Sequence, residues 1–241
     1  MSMRDFIAGI IGGSLRAPSG PGCRRGPESA FEFDVADWFE IHPVNPQKRT
    51  LAQVAVRLRQ GAVIAYPTDS CYALGCQLED KQATERLRRI RQFDRHHQFT
   101  LVCRDLSEIA TYARVDNWQF RLLKQHTPGP YTFILNASKE LPRRIAHEKR
   151  KTVGIRVPEN VIAQALLETL GEPLISGTLI LPGEDHAVAA PGEWREALDN
   201  AVDVVIDGGY CGTEPTTVVD LSGEAPVLVR RGKGVTDRLG I

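Results

Sequence analysis

Hydrophobic positions in this chain recur in two rhythms, one suited to helices and one to buried strands. Over residues 47–60, Leu51, Val54, Ala55 and Leu58 return at three- and four-residue intervals, which predicts an amphipathic helix. Gly61 ends it, and 62–66 is a continuous apolar run that reads as a buried strand. Pro67 stops the strand because it has no N–H to give a neighbour. Thr68, Asp69 and Ser70 then form a short polar loop that Tyr72, Ala73, Leu74 and Gly75 close. A buried strand emptying into a polar loop is where open α/β sheets place ligands. On composition alone the loop reads equally as a turn whose threonine and aspartate satisfy nearby backbone groups.

Asp80 is an N-cap candidate for a helix to about residue 92, with Ala83, Leu87 and Ile90 inward and Arg86, Arg88, Arg89 and Arg91 largely outward. A polar loop at 93–98 carries His96 and His97. Strands are predicted at 99–103, 131–136, 152–157, 173–176, 201–206, 217–221 and 226–230. Helices are predicted at 105–112, 116–125 and 159–170, the last capped by Gly171. Helices separated by single strands, with a strand pair near the end, predict a mixed sheet covered on both faces. Residues 1–37 are rich in Pro, Gly, Ser and Arg and lack a period, so they read as a disordered extension before a single domain at 38–241.

Composition narrows the function classes. Lys+Arg and Asp+Glu both number 30, so any nucleic-acid binding has to use a local patch. Such patches exist at 86–95 and 143–151, where Arg88, Arg95, Lys149, Arg150 and Lys151 are candidate RNA contacts. Their plainer reading is a solvated helix and loop face. The five cysteines form no CxxC pair, which predicts reduced thiols and no zinc site. His96 and His97 lack a third ligand nearby, so no metal site is assigned. No apolar run reaches membrane-spanning length and 6–13 lacks the flanks of a secretory signal, so a cytoplasmic protein without membrane contact is expected. Gly208 and Gly209 do not complete a GxGxxG loop. No residue pattern sets an oligomeric state.

Four segments resemble one family: YPTDSCYALGC its proline–threonine loop, PGPYTFIL its PGPxT strand, VGIRVP its GxRxP strand, and EPTTVVDL with LVRRG its carboxy-terminal half. The chain resembles a YrdC-like domain over 39–234, and RIRQ, CRDLSEIATY and EKRKTVGIRVP are similar to the YciO branch. The resemblance implies an α/β fold, a twisted mixed sheet of about seven strands between helices, with a concave basic surface. The activity it implies is synthesis of threonylcarbamoyl-AMP from L-threonine, bicarbonate and ATP with Mg2+, toward modification of adenosine in tRNA. It also implies association with double-stranded RNA. Carried over by position, Arg91 and Arg156 would be catalytic. Thr68, Tyr72 and Thr216 would hold substrate, and Thr132, Ser176, Thr178 and Arg230 would hold the nucleotide.

The chain departs from the synthases where Phe93 and Ile180 stand in place of an arginine and an asparagine, and His97 in place of a lysine. Losing those donors weakens a polyphosphate site. An adenylate hydrolase, or an RNA-binding protein without synthase chemistry, therefore stands beside the synthase reading. Arg156 in an apolar strand calls for an anion, either a ligand or a structural carboxylate such as Asp220.

Overall fold

The computed structural model describes residues 35–93, 98–237 and 239. Among them the chain runs β1 (Asp37–Glu40), α1 (Lys48–Arg59), β2 (Ile64–Tyr66), β3 (Ala73–Gln77), α2 (Lys81–Ile90) and β4 (Thr100–Val102). It continues through α3 (Leu106–Tyr112), β5 (Ala113–Arg114), α4 (Asn117–His126), β6 (Tyr131–Ala137), β7 (Thr152–Arg156) and α5 (Val161–Leu170). It ends with β8 (Leu174–Thr178), α6 (Arg195–Asp199), β9 (Val204–Asp207), β10 (Thr217–Asp220) and β11 (Val227–Arg230).

The strands join one sheet in the order β1-β9-β2-β3-β8-β4-β7-β6-β10-β11, with β5 pairing β6. Pairs β1–β9, β9–β2, β4–β7 and β6–β10 are parallel, while β2–β3, β3–β8, β8–β4, β7–β6 and β10–β11 are antiparallel. The sheet is mixed, as the element pattern predicts, but it has eleven strands and not about seven. The excess comes from short pieces with little alternation to read. β3 is small and buried along almost its whole length, so it presents as loop closure in sequence, and β5 is two residues long.

Local signals account for the helix ends. Asp80 accepts from Ala83 N at 2.9 Å and Asn160 from Ala163 N at 3.0 Å, each satisfying an orphan first-turn donor. Gly61 (φ 89°) and Gly171 (φ 80°) take the left-handed conformation that closes α1 and α5. Asp116 N donates to Gln119 Oε1 at 2.7 Å, and Gln119 Nε2 donates to Leu221 O at 2.6 Å, which ties α4 to the end of β10.

Strand alternation sorts the core into two clusters. Val63, Ala65, Leu74, Leu101, Phe133, Leu135, Val153, Ile155, Ile175, Val205 and Val219 face one way, under Leu87 of α2, Ile109 of α3 and Leu123 of α4. Ile64, Tyr66, Ala73, Val102, Leu174, Val204 and Ile206 face the other way, under α1 and α5. That second cluster stops at β8 and β4. Beyond it, the same face of β8, β4, β7 and β6 carries Ser176, Thr178, Thr100, Gly154, Thr152 and Thr132. The sheet there turns from apolar to hydroxylated, and a cavity opens on it.

Candidate ligand-binding site

The cavity measures ≈ 310 Å³ and has the strands as its floor. Thr100 pairs with Gly154 on β7 and with Ser176 on β8, so these three sit side by side across the sheet. Gly154 leaves the floor open: a Cβ there would meet Thr132 Cγ2 at 3.4 Å and Thr100 Oγ1 at 3.7 Å. Thr132 Oγ1 lies 2.9 Å from Thr216 Oγ1. One of these hydroxyls donates to the other, and the remaining hydrogen is available to a ligand. Ser176 Oγ donates to Leu74 O at 2.8 Å, so Tyr66 Oη donates to Ser176 Oγ at 2.9 Å. Burial pushes the Tyr66 phenol up to about 12 against the lowering effect of that hydrogen bond, so it stays protonated and keeps donating.

Four arginines line this cavity; Arg150 faces Asp220 at 3.7 Å, and the other three are held by the site itself. Arg156, at the end of β7, is held by the loop after β2: Nη2 donates to Asp69 Oδ1 and Nη1 to Ser70 Oγ at 3.4 Å. The Arg156 and Asp69 side chains are 9% and 8% exposed, so this is a buried ion pair. Arg91, at the end of α2, donates from Nη1 to Ile180 O at 2.8 Å, and its guanidinium carbon lies 4.6 Å from the centre of the Phe93 ring. Arg230, at the end of β11, donates to Thr216 O at 3.0 Å and to Thr216 Oγ1 at 3.4 Å. Burial lowers the pKa of both Arg91 and Arg230, although each remains a cation.

Arg156 Nε, Arg91 Nε and Asp69 Oδ2 are buried without a hydrogen-bond partner among the described residues. Buried polar atoms are otherwise almost always paired. Two cationic donors left open on the lining of one hollow are recognition elements for an anionic, hydrogen-bonding ligand, and Asp69 Oδ2 is the open oxygen on the partner of Arg156.

Every residue expected to touch amino acid or nucleotide lines this cavity except Tyr72: Thr68, Arg91, Thr132, Arg156, Ser176, Thr178, Thr216 and Arg230. Phe93 and Ile180 line it too. Tyr72 precedes β3, where alternation sends Ala73 to the cavity face and Tyr72 to the opposite one. Its hydroxyl accepts from Gly208 N at 3.0 Å and donates to Gly209 O at 2.9 Å, so it anchors the loop after β9. Burial raises its pKa. The Thr68 hydroxyl donates to Cys71 O at 2.6 Å and accepts from Ser70 N at 3.2 Å and Cys71 N at 3.3 Å. Thr68 therefore shapes its own loop, as the local-turn reading describes. The carboxylate beside Arg156 is Asp69 and not Asp220, which accepts from Ser222 N and Ser222 Oγ and lies 3.7 Å from Arg150.

A second hollow, ≈ 570 Å³, adjoins the first and is lined by Arg88, Arg143, Arg144, Lys149 and Lys151. The two share Gln98, Phe99 and His147, while Arg150 lines the first. Arg95, His96 and His97 lie outside the described residues, as do residues 1–34 of the expected extension. Among the described residues no group of three His, Cys, Asp or Glu side chains is placed to hold a metal ion, and no helix is long and apolar enough to cross a membrane. Cys71, Cys76, Cys103 and Cys211 are free thiols.

Sequence reasoning does not single out Thr100, Thr152, Gly154 or His147 as site residues, and it does not pair Asp69 with Arg156. A usable signal exists in TVGIR, where Thr152, Gly154 and Arg156 alternate with Val153 and Ile155, marking one polar face on a buried strand.

The model of the Sua5/YciO/YrdC family, described as telomere recombination, matches residues 56–232. YciO of Escherichia coli K12 is 56% identical over 200 residues, covering 83% of this chain and 97% of that protein. The crystal structure of E. coli YciO superposes with a TM-score of 0.81 at 55% identity, covering 85% of this chain and 99% of that one. The threonylcarbamoyl-AMP synthase of Chromohalobacter salexigens is 30% identical over 177 residues, covering 72% of this chain and 94% of the synthase. The structure of P. abyssi Sua5 complexed with L-threonine is 25% identical with a TM-score of 0.73, covering 81% of this chain and 57% of that one.

Proposed function

Because the chain belongs to the Sua5/YciO/YrdC family, we propose that its cavity binds L-threonine and an adenine nucleotide together, as the making or breaking of threonylcarbamoyl-AMP requires. The observation that carries this reading is the pair of orphaned donors, Arg156 Nε and Arg91 Nε, on a cavity with a hydroxylated floor. A carboxylate or phosphate oxygen satisfies the arginines. Arg156 is fixed by the loop after β2, since Asp69 and Ser70 hold its fork. Its free Nε suits a threonine carboxylate. Arg230 and the Thr132–Thr216 hydroxyl pair suit a phosphoryl group. A magnesium ion, which would shield phosphate charge, would ride in on the nucleotide.

In the synthase direction, a carbamate oxygen of N-carboxy-threonine bonds to the α-phosphorus of ATP while the bond to pyrophosphate breaks. Here the arginines stabilise charge, and the floor positions the reactants. Calorimetry with L-threonine, with AMP or ATP present, tests the binding claim. L-Threonine affinity rises when nucleotide is present, and Arg156→Met abolishes threonine binding. Absence of binding by both ligands refutes the reading. Mass spectrometry after incubation with ATP, L-threonine, bicarbonate and Mg2+ then separates synthesis from hydrolysis of supplied adenylate.

The continuity of the cavity with the basic hollow supports a second reading, in which the adenosine belongs to a tRNA or double-stranded RNA whose backbone follows Arg88, Arg143, Lys149 and Lys151. Removing Lys149 and Lys151 would then lower affinity evenly across RNA sequences. It would also flatten the salt dependence by about one unit for each phosphate no longer neutralised. Salt-insensitive binding would count against this reading.

A further inference from the structure

The cavity is not evenly polar. Arg156 and Arg230 end β7 and β11, Thr132 lies at the start of β6 and Thr216 just before β10, and all four line the cavity. Phe93 and Ile180 present carbon from the segments after α2 and after β8, while Phe99, before β4, keeps its ring in the apolar core. Resting on the reading that an adenylate occupies this site, we propose that the cavity selects a nucleotide with a single phosphoryl group over a triphosphate, and that Phe93 sets the selection.

Phe93 is fixed on several sides. Its ring meets Phe99 edge-on, with centroids 5.9 Å apart and an interplanar angle of 63°. Its Cε2 lies 3.3 Å from where a Cβ on Gly177 would stand, so a side chain at that point of β8 would press the ring back by a few tenths of an ångström. The Arg91 guanidinium covers the ring, while Arg91 Nη1 is committed to Ile180 O. The ring, the arginine and the carbonyl thus brace one another. Arg91 remains cationic, with its Nε left open.

A second and third phosphoryl group each add charge and oxygen atoms that need donors. Set against Phe93 and Ile180 they would lose water without replacement, which is unfavourable for a charged group. Arg150, the fourth arginine of the lining, faces Asp220 at 3.7 Å, and the open donors that remain, Arg156 Nε, Arg91 Nε and the remaining Arg230 and threonine N–H and O–H groups, suit one phosphoryl group and one carboxylate. That is the anion pattern of an acyl- or carbamoyl-adenylate of an amino acid. The reaction class that supplies such a ligand is adenylation, in which an oxygen of the acid bonds to the α-phosphorus of ATP and pyrophosphate leaves. On this proposal the chain acts at the step that receives the product.

Calorimetric titration of AMP, ADP and ATP, each with and without Mg2+, into the unmodified protein, Phe93→Leu and Phe93→Arg tests this, with urea unfolding to verify that each variant is folded. AMP binds the unmodified protein about tenfold more tightly than ATP, the equivalent of one charged hydrogen bond left unmade. Phe93→Leu keeps the order AMP over ATP. Phe93→Arg, which supplies a donor in place of carbon, raises ATP affinity about tenfold and removes or reverses the order. ATP binding to the unmodified protein as tightly as AMP overturns the proposal while leaving the adenine-nucleotide site intact. An order unchanged in a folded Phe93→Arg protein overturns the role of Phe93. If no nucleotide binds any variant, it is the underlying reading of the site that fails.

Discussion

The Asp69–Arg156 pair is the strongest single-residue commitment in the site. Both side chains are nearly excluded from solvent, so neither charge has water to fall back on. Removing one partner of a buried pair strands the other, which typically costs about 3–5 kcal/mol. Asp69→Asn should therefore lower the unfolding free energy by about 3 kcal/mol in urea denaturation. Adding Arg156→Met to that background should return most of the loss, because the stranded charge is then gone. Equal urea midpoints for Asp69→Asn and the parent would mean the pair is solvated and the orphaned atoms are no guide to a ligand. The need of Arg156 for an anion is legible in the sequence, since a charge stands alone in an apolar strand. The identity of the partner is not. Asp69 follows β2 and Arg156 ends β7, and these strands are brought together only through β3, β8 and β4, long-range pairings that no local period encodes.

At the scale of elements, what the sequence discloses follows from how strongly each element satisfies its own rule. α1, α2 and α5 have apolar residues at helical spacing and a capping aspartate, asparagine or glycine, and their predicted positions agree with the structure to within two residues at each end. β3, β5 and α6 escape because they are short or apolar on both faces, so tertiary pairing and not pattern defines them. Asp80 is a direct test of the legible class. Asp80→Ala should destabilise the protein by about 1 kcal/mol, with Asp80→Asn close to the parent, read from urea midpoints. No difference between the alanine variant and the parent would show that packing of Ala83, Thr84 and Leu87 alone defines the start of α2. β7 offers the complementary test, since its glycine serves the cavity and not the strand. Gly154→Val would fill the floor between Thr132 and Thr100, with at least a roughly tenfold loss of nucleotide affinity and a stability change within about 1 kcal/mol. Unchanged affinity would place the ligand elsewhere.

For the whole molecule, the two-faced sheet determines how stability responds to alkali. Thiols and phenols are distributed through both sides of it, and burial is the leading cause of their shifts. Cys76 and Cys211 are pushed up from 9.0 to about 12, Cys71 is raised from 9.0, and Cys103 well above it. Tyr66 rises from 10.0 to about 12. Above pH 9 the unfolded chain releases these protons while the folded chain keeps them, so the folded state binds more protons and stability must fall as pH rises. The stabilising contribution is fully present below pH 9 and is lost between 9 and the raised folded values near 12. Each thiol adds up to about 1.4 kcal/mol of loss per pH unit across that window. The ion pairs Arg156–Asp69, Arg86–Asp203 and Arg57–Asp37 use arginine, which keeps its charge there, so they do not produce the same slope. Urea midpoints should be level from about pH 7 to 8 and decline from about pH 9 to 11. Cys76→Ala should reduce that decline by one thiol's share, because its sulfur is buried and its nearest polar neighbour is the Thr84 hydroxyl at 3.9 Å. A decline of the same steepness in Cys76→Ala would assign the alkaline loss to groups outside this buried set.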